Sequence, residues 1–321
     1  MREVAIIGMG MTKFGKMPEI STRKLGYTAI IEAVQDSGIK KEDIQSAYFG
    51  SVNSRNGIGQ QILMELGIKN IPVTNIENAC ASSSNAFKLA VQDVASGNVD
   101  VALAVGVEQL STLFKGLLPL NYRDYEVSQG MILPANYALM ASRFMSEYGI
   151  TEEQISQVSV KNHFNGSLNE KAQYQKPVTL EEVMNSKKIA DPLKLMDCCP
   201  IGDGASAAIV ASVDYAHKLG IKNPVRILTS TLMSGGGVYE PDNSVWSLNL
   251  IKEASKKAYE EAGVGPEDLD IVEVHDAYSI AELVAYEGLQ LCEPGDSAKL
   301  LDEKITELTG PKPVNTSGGL L

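Results

Sequence analysis

Long apolar runs, paired cysteines and excess positive charge are all missing from this chain, and each absence closes off a class of function. No stretch approaches the ~18 uninterrupted apolar residues of a membrane span. The start, Met1-Arg2-Glu3-Val4-Ala5-Ile6-Ile7-Gly8, reads as a first β-strand rather than a secretory signal. The four cysteines, Cys80, Cys198, Cys199 and Cys292, make no C-x-x-C pair, and with only three histidines they build no metal-ligand spacing. A reducing cytoplasm is the expected location. Lysine and arginine number 28 against 40 aspartates and glutamates, a formal net charge of −12. That balance argues against nucleic acid or an anionic membrane as partner. An anionic ligand would have to be met by local cations or backbone amides.

What is present suits an enzyme. With 44% hydrophobic and 21% charged residues, the 321-residue chain can bury one large core or two joined ones. Cys80 is the first candidate nucleophile. It follows a β-leaning run, Pro72 to Glu77, and opens a small-residue helix, Ala81-Ser82-Ser83-Ser84-Asn85-Ala86, which Gly97 stops. A thiol at a helix start feels unpaired N–H groups and the positive end of the dipole, which favour the thiolate that attacks acyl carbonyls. The same spacing also fits a small residue packing a strand against a helix.

The chain repeats itself. Ala33 to Ile44 aligns without a gap on Ala258 to Leu269, each a helix ending in Gly, a turn with a Glu-Asp pair, and then an apolar run. Those runs, Ser46–Gly50 and Ile271–His275, are expected strands. Pro72-Val73-Thr74-Asn75, ahead of Cys80, resembles Pro313-Val314-Asn315-Thr316, ahead of Ser317-Gly318-Gly319-Leu320-Leu321. The expected fold is α/β, with an N-terminal half over residues 1–110, an insertion or lid over 111–199 and a C-terminal half over 200–321. The second half lacks the helix and core strand that follow Cys80 in the first, so the chain is expected to be C-terminally truncated or completed by another chain. The middle segment carries helical pieces at Ala135–Met145 and from Thr151, whose capping box pairs Thr151 with Gln154. It serves as a lid, or as an arm at a subunit contact. After Cys198-Cys199, the run Gly202-Asp203-Gly204-Ala205-Ser206-Ala207 reads as a tight turn into a closely packed strand, not a phosphate loop.

Asn78-Ala79-Cys80-Ala81-Ser82-Ser83, Val105-Gly106-Val107-Glu108, Asp203-Gly204-Ala205-Ser206-Ala207, Glu273-Val274-His275-Asp276-Ala277-Tyr278 and Asn315-Thr316-Ser317-Gly318-Gly319 together resemble the thiolase superfamily. Within it, the sterol-carrier-protein and archaeal type is the nearest pattern. The resemblance implies two pseudo-twofold-related halves in a layered αβαβα arrangement, the second incomplete here. It implies thiolysis of a 3-oxoacyl-CoA, or the reverse Claisen condensation, through an acyl-Cys80 intermediate. It places His275 in an oxyanion or proton-transfer role, with Asp276, Tyr278, Gly318 and Gly319 as further site residues. Coenzyme A is then a substrate, and no cofactor is covalently bound. A homodimer is expected, and a zinc-ribbon/OB-fold subunit that contacts the CoA is a further expected partner.

Two departures qualify the resemblance. Ala277 stands where the sterol-carrier type often has an acid/base cysteine. The family's G-H-P motif, whose histidine activates the cysteine, has no counterpart before Leu321, so the chain as it stands is expected to be a poor catalyst. Tyr278 beside His275 and Asp276 also suits an aldolase acting on a β-hydroxyacyl-CoA, and a non-catalytic acyl-CoA-binding scaffold is a third reading. His163 is expected at most to line a pocket and His217 to lie on the surface. Leu113, Phe114, Leu117, Leu118, Tyr122 and Tyr125 suit an acyl pocket or an interface. The acyl group and the direction of reaction are left open.

Overall fold

The computed structural model describes residues 2–53, 57–235 and 248–321. Along the chain the elements are β1 (Val4–Met11), α1 (Thr22–Ser37), β2 (Ser46–Gly50), α2 (Ile58–Leu66), β3 (Val73–Ile76), α3 (Ser82–Ser96) and β4 (Val101–Gln109). There follow α4 (Tyr125–Ser128), α5 (Leu133–Tyr148), α6 (Glu152–Ser167), α7 (Leu180–Asn185), β5 (Lys188–Ala190) and β6 (Leu193–Lys194). The remainder is β7 (Asp203–Ser212), α8 (Val213–Lys218), β8 (Val225–Ile227), α9 (Leu248–Ala262), α10 (Ser279–Gly288) and α11 (Ser297–Asp302). Among the described residues no helix is long and apolar enough to cross a membrane.

Two compact units form, one from residues 1–115 and 201–232, the other from 116–200 and 233–321. This division differs from the expected three segments, because residues 201–232 return to the first unit. Its sheet runs β3-β2-β4-β7-β1-β8, so β7 sits between β4 and β1 rather than founding a C-terminal half. β2 is parallel to β3 and β4, while β7 is antiparallel to β4 and to β1. The β4 run Val-Ala-Leu-Ala-Val-Gly-Val is buried almost throughout because helices cover both faces. Leu103 and Val105 join Ile30, Phe49 and Ile62 in one cluster, while Ala102 and Ala104 join Ala90 and Val94 in another. Each large buried side chain contributes about 1.5–3 kcal/mol of transfer free energy. β1 passes so near α1 that a Cβ at Gly10 would stand 2.1 Å from the Ala29 carbonyl oxygen.

The second unit is mostly helical. α5, α6 and α10 pack Phe144, Ile155, Val158, Ile280, Leu283 and Tyr286 into one core with Val314. The capping box at α6 forms as expected, with Gln154 N donating to Thr151 Oγ1 at 3.2 Å and Thr151 N donating to Gln154 Oε1 at 3.1 Å. The expected strand Ile271–His275 does not form, and a single parallel bridge, Val272 to Val314, stands there instead. An isolated parallel pair, with no further strand beside it among the described residues, does not sustain a ladder.

That bridge nevertheless keeps the register of the repeat. Ala47 N donates to Pro72 O at 3.0 Å, and Val272 N donates to Pro313 O at 3.0 Å. Gly38 and Gly263 end their helices at the same φ of 71°. The following turns close alike, with Lys40 N on Asp43 Oδ2 at 2.9 Å and Gly265 N on Asp268 Oδ2 at 2.8 Å. The repeated segments thus share helix end, turn and first pairing, and diverge after it: β2 pairs in a ladder on both sides, whereas Val272 makes one isolated bridge among the described residues.

Candidate active site

Cys80 lies at the carboxyl ends of the parallel strands, in the turn between β3 and α3, one residue before the helix N-cap Ala81. Its side chain is exposed. The turn is tightly specified. Ala79 adopts φ 44°, an uncommon conformation for a residue with a Cβ. It is held by its N–H donating to Glu77 Oε1 at 2.8 Å, while Ser82 Oγ donates to the Ala79 carbonyl at 2.7 Å and accepts from Asn78 N at 2.8 Å. No side chain caps α3, so the positive end of a 15-residue helix is left beside the thiol. Glycines seat the helix on the sheet: a Cβ at Gly50 would stand 2.4 Å from Ser82 C and Ser83 N, and one at Gly106 would meet Ser83 Cβ at 2.6 Å.

The other thiols are differently placed. Burial pushes Cys198 up to about 12, helped by the nearby Asp197 charge, and burial with the Glu287 charge does the same for Cys292. Cys199 is half-buried, and its N–H donates to the Ala277 carbonyl at 3.0 Å.

In the second unit, His275 lines a cavity of about 300 Å³ together with Tyr137, Met140, Ile251, Val274 and Leu289. The imidazole reaches solvent there, yet the surrounding protein desolvates it and lowers its pKa. It is therefore neutral at pH 7, with one N–H to donate and one nitrogen to accept.

The Gly318-Gly319 loop is clamped from two sides. Glu273 accepts from Thr316 Oγ1, Ser317 N and Ser317 Oγ at 2.9, 2.9 and 2.7 Å. Asp276, wholly buried, accepts from Leu320 N at 2.7 Å and Leu321 N at 3.3 Å. The glycines are required, since both have positive φ and a Cβ at Gly319 would stand 2.3 Å from Asp276 Oδ2. Burial raises the Asp276 carboxyl to about 6, with the Glu282 charge adding to the rise and the loop amides opposing it.

Behind Asp276 stands a polar network whose members the sequence did not mark as functional. Lys161 and Glu282 form an ion pair at 2.8 Å, with side chains 3% and 0% exposed. Asn162 Nδ2 donates to Asp276 Oδ2 at 2.8 Å and to Glu282 Oε2 at 2.7 Å. Asn315 Nδ2 donates to Glu282 Oε2 at 2.7 Å, and the Tyr286 hydroxyl donates to Glu282 Oε1. The helix sequences carry no signal for this network, since α6 is rich in polar residues along its length and α10 holds a second glutamate, Glu287.

The remaining candidates fall away from the cavity. Tyr278 is 4% exposed, stacks on Tyr137 at 4.3 Å between ring centroids and does not line the His275 cavity. His163 is buried and stacked on Tyr174 at 5.0 Å, and His217 is on the surface as expected. Leu113, Leu117, Tyr122 and Tyr125 are exposed, with Phe114 and Leu118 half-buried.

The described candidate groups are thus a thiol presented on a strained strand-to-helix turn in the first unit and a His-Asp pair tied to a Gly-Gly loop in the second. Residues 4–214 match the thiolase N-terminal domain and residues 241–321 the thiolase C-terminal domain-like family, so the chain belongs to the thiolase superfamily. It is 37% identical over 328 residues to an acetyl-CoA acetyltransferase of Methanothermobacter thermautotrophicus, spanning 100% of this chain and 85% of that protein. It is 39% identical over 326 residues to benzoylsuccinyl-CoA thiolase subunit BbsB of Thauera aromatica, spanning 100% of this chain and 84% of the relative. Among solved structures, the "Ltp2-ChsH2(DUF35) aldolase" superposes with a TM-score of 0.85 at 25% identity, covering 99% of this chain and 84% of that one.

Proposed function

We propose that this chain is a thiolase-type acyltransferase that cleaves or forms a 3-oxoacyl-CoA through an acyl-Cys80 intermediate. In the cleavage direction the Cys80 thiolate adds to the 3-oxo carbon and the C2–C3 bond breaks. The acyl group stays on sulfur, and the departing two-carbon CoA thioester leaves as an enolate that takes up a proton. The thiol of a second coenzyme A then attacks the acyl-Cys80 thioester and releases the shortened acyl-CoA. His275, neutral at pH 7, is the donor assigned to the enolate oxygen of the CoA thioester, where negative charge develops. The carrying observation is Cys80, exposed on a strained turn at an uncapped helix start.

Names among the relatives support the acyl-transfer reading, with an acetyl-CoA acetyltransferase and a benzoylsuccinyl-CoA thiolase subunit among them. The aldolase neighbour supports a second reading, retro-aldol cleavage of a β-hydroxyacyl-CoA. That reaction needs no nucleophilic thiol, and Tyr278, its expected proton carrier, is buried against Tyr137. A homodimer, with a second subunit contacting CoA, is the proposed assembly. The Ltp2-ChsH2(DUF35) aldolase, whose name pairs two components, supports a two-subunit arrangement. Thiolysis of acetoacetyl-CoA and of an aromatic 3-oxoacyl-CoA, measured on the parent and on Cys80→Ser, tests the reading. Activity abolished by the substitution supports acyl transfer. Retained cleavage of a β-hydroxyacyl-CoA by Cys80→Ser identifies an aldolase, and no activity in either protein identifies a binding scaffold.

A further inference from the structure

Asn162 lies inside α6, wholly buried, and every polar atom of its side chain has a charged partner. One amide hydrogen goes to Asp276 Oδ2 at 2.8 Å and the other to Glu282 Oε2 at 2.7 Å, while its oxygen accepts from Lys161 Nζ at 2.6 Å. A neutral donor thus stands between two buried carboxylates and next to the one ammonium of the network. No acidic, hydroxyl or aliphatic side chain of that size donates to two oxygens and accepts from a cation at once. Asp276 in turn follows His275 directly in the chain and receives the amides of Leu320 and Leu321, while Asn315, another donor to Glu282, accepts from Val274 N at 2.8 Å.

We infer that Asn162 is a positioning residue for the acyl-transfer reaction: by donating to Asp276 and Glu282 together it keeps both as acceptors, and so fixes the Gly318-Gly319 loop and the backbone carrying His275. This rests on the proposed function for its kinetic consequence but not for its structural one. The groups facing Asp276 are Asn162 from α6, Glu282 and Tyr286 from α10, and the loop amides, while the Lys161 ammonium bonds Glu282 and Asn162. Removing the Asn162 donor leaves Asp276 against the Glu282 charge with one partner fewer, so protonation comes at higher pH and the grip on the loop weakens.

The test uses Asn162→Ala and Asn162→Asp in the whole chain. In Asn162→Ala, amide hydrogen exchange followed by mass spectrometry should show Leu320 and Leu321 exchanging at least about ten-fold faster, with the β2–β4 amides unchanged. Thiolysis kcat should fall at least about ten-fold with KM within about three-fold, and the acidic limb of the kcat profile should move upward. Asn162→Asp should behave differently, regaining activity and exchange protection as pH falls, because a protonated carboxyl again donates. Should Asn162→Ala not fold, Asn162→Ser retains one donor and carries the same exchange measurement. Unchanged exchange at Leu320 and Leu321 in a folded variant overturns the inference. A parent without thiolysis overturns the proposed function alone, and the exchange data then decide the role of Asn162.

Discussion

Replacing Lys161 by methionine probes the buried network most severely. The ammonium stands 2.8 Å from Glu282 Oε1 and also donates to the Val314 carbonyl at 2.7 Å, with both side chains of the pair almost fully out of water. Removing the cation leaves the Glu282 charge buried beside Asp276, with only the neutral donors Asn162, Asn315 and Tyr286 to hold it. Breaking one side of such a pair costs about 3–5 kcal/mol, whereas replacing both sides by neutral groups costs far less. With a urea m-value of about 3 kcal/mol/M, the single substitution lowers the unfolding midpoint by about 1–1.7 M. The double variant Lys161→Met/Glu282→Gln should recover at least about half of the loss, because the amide oxygen of Gln still accepts a hydrogen bond. Urea titration followed by far-ultraviolet circular dichroism reads both. A Lys161→Met midpoint within about 0.3 M of the parent, at equal m, would refute the reasoning.

Brief iodoacetamide treatment at pH 7.5 should label Cys80 well ahead of Cys198 and Cys292, whose thiols burial holds near 12; peptide mapping that finds either of those labelled first contradicts the placement. Asp276, raised to about 6, contributes stability that is fully present below its unfolded value near 4 and is lost as pH rises through 6. The stability of the parent relative to Asp276→Asn should accordingly fall by up to about 3 kcal/mol between pH 4 and pH 7, as measured by urea titrations across that range. Gly50→Ala should destabilise the first unit by about 1–3 kcal/mol and slow Cys80 alkylation, because its Cβ would collide with the first turn of α3; an unchanged midpoint and alkylation rate would show that α3 shifts freely.

The sequence revealed most where chemistry is local. Gly38 and Gly263, with the Glu-Asp turns after them, carry their own backbone requirements, so the repeat appeared in the residues and again in the hydrogen bonds. Cys80 was legible for the same reason, as a small-residue helix start after a short strand. Pairing between distant segments was not. β7 reads as an apolar strand but carries no mark of its seat between β4 and β1, and Ile271–His275 has strand composition but, among the described residues, no neighbouring strands to extend it. The network behind Asp276 joins Asn162 to a carboxylate 120 residues away, a pairing no local pattern encodes.

Intact-protein and peptide mass spectrometry after mixing with a 3-oxoacyl-CoA, in the absence of free coenzyme A, tests the central claim most directly. An acyl adduct of the expected mass on the peptide carrying Cys80, lost when coenzyme A is added and absent from Cys80→Ser, is the predicted result. Turnover of the same substrate with no adduct on Cys80, or an adduct on Cys198, Cys199 or Cys292 that coenzyme A discharges, would contradict it.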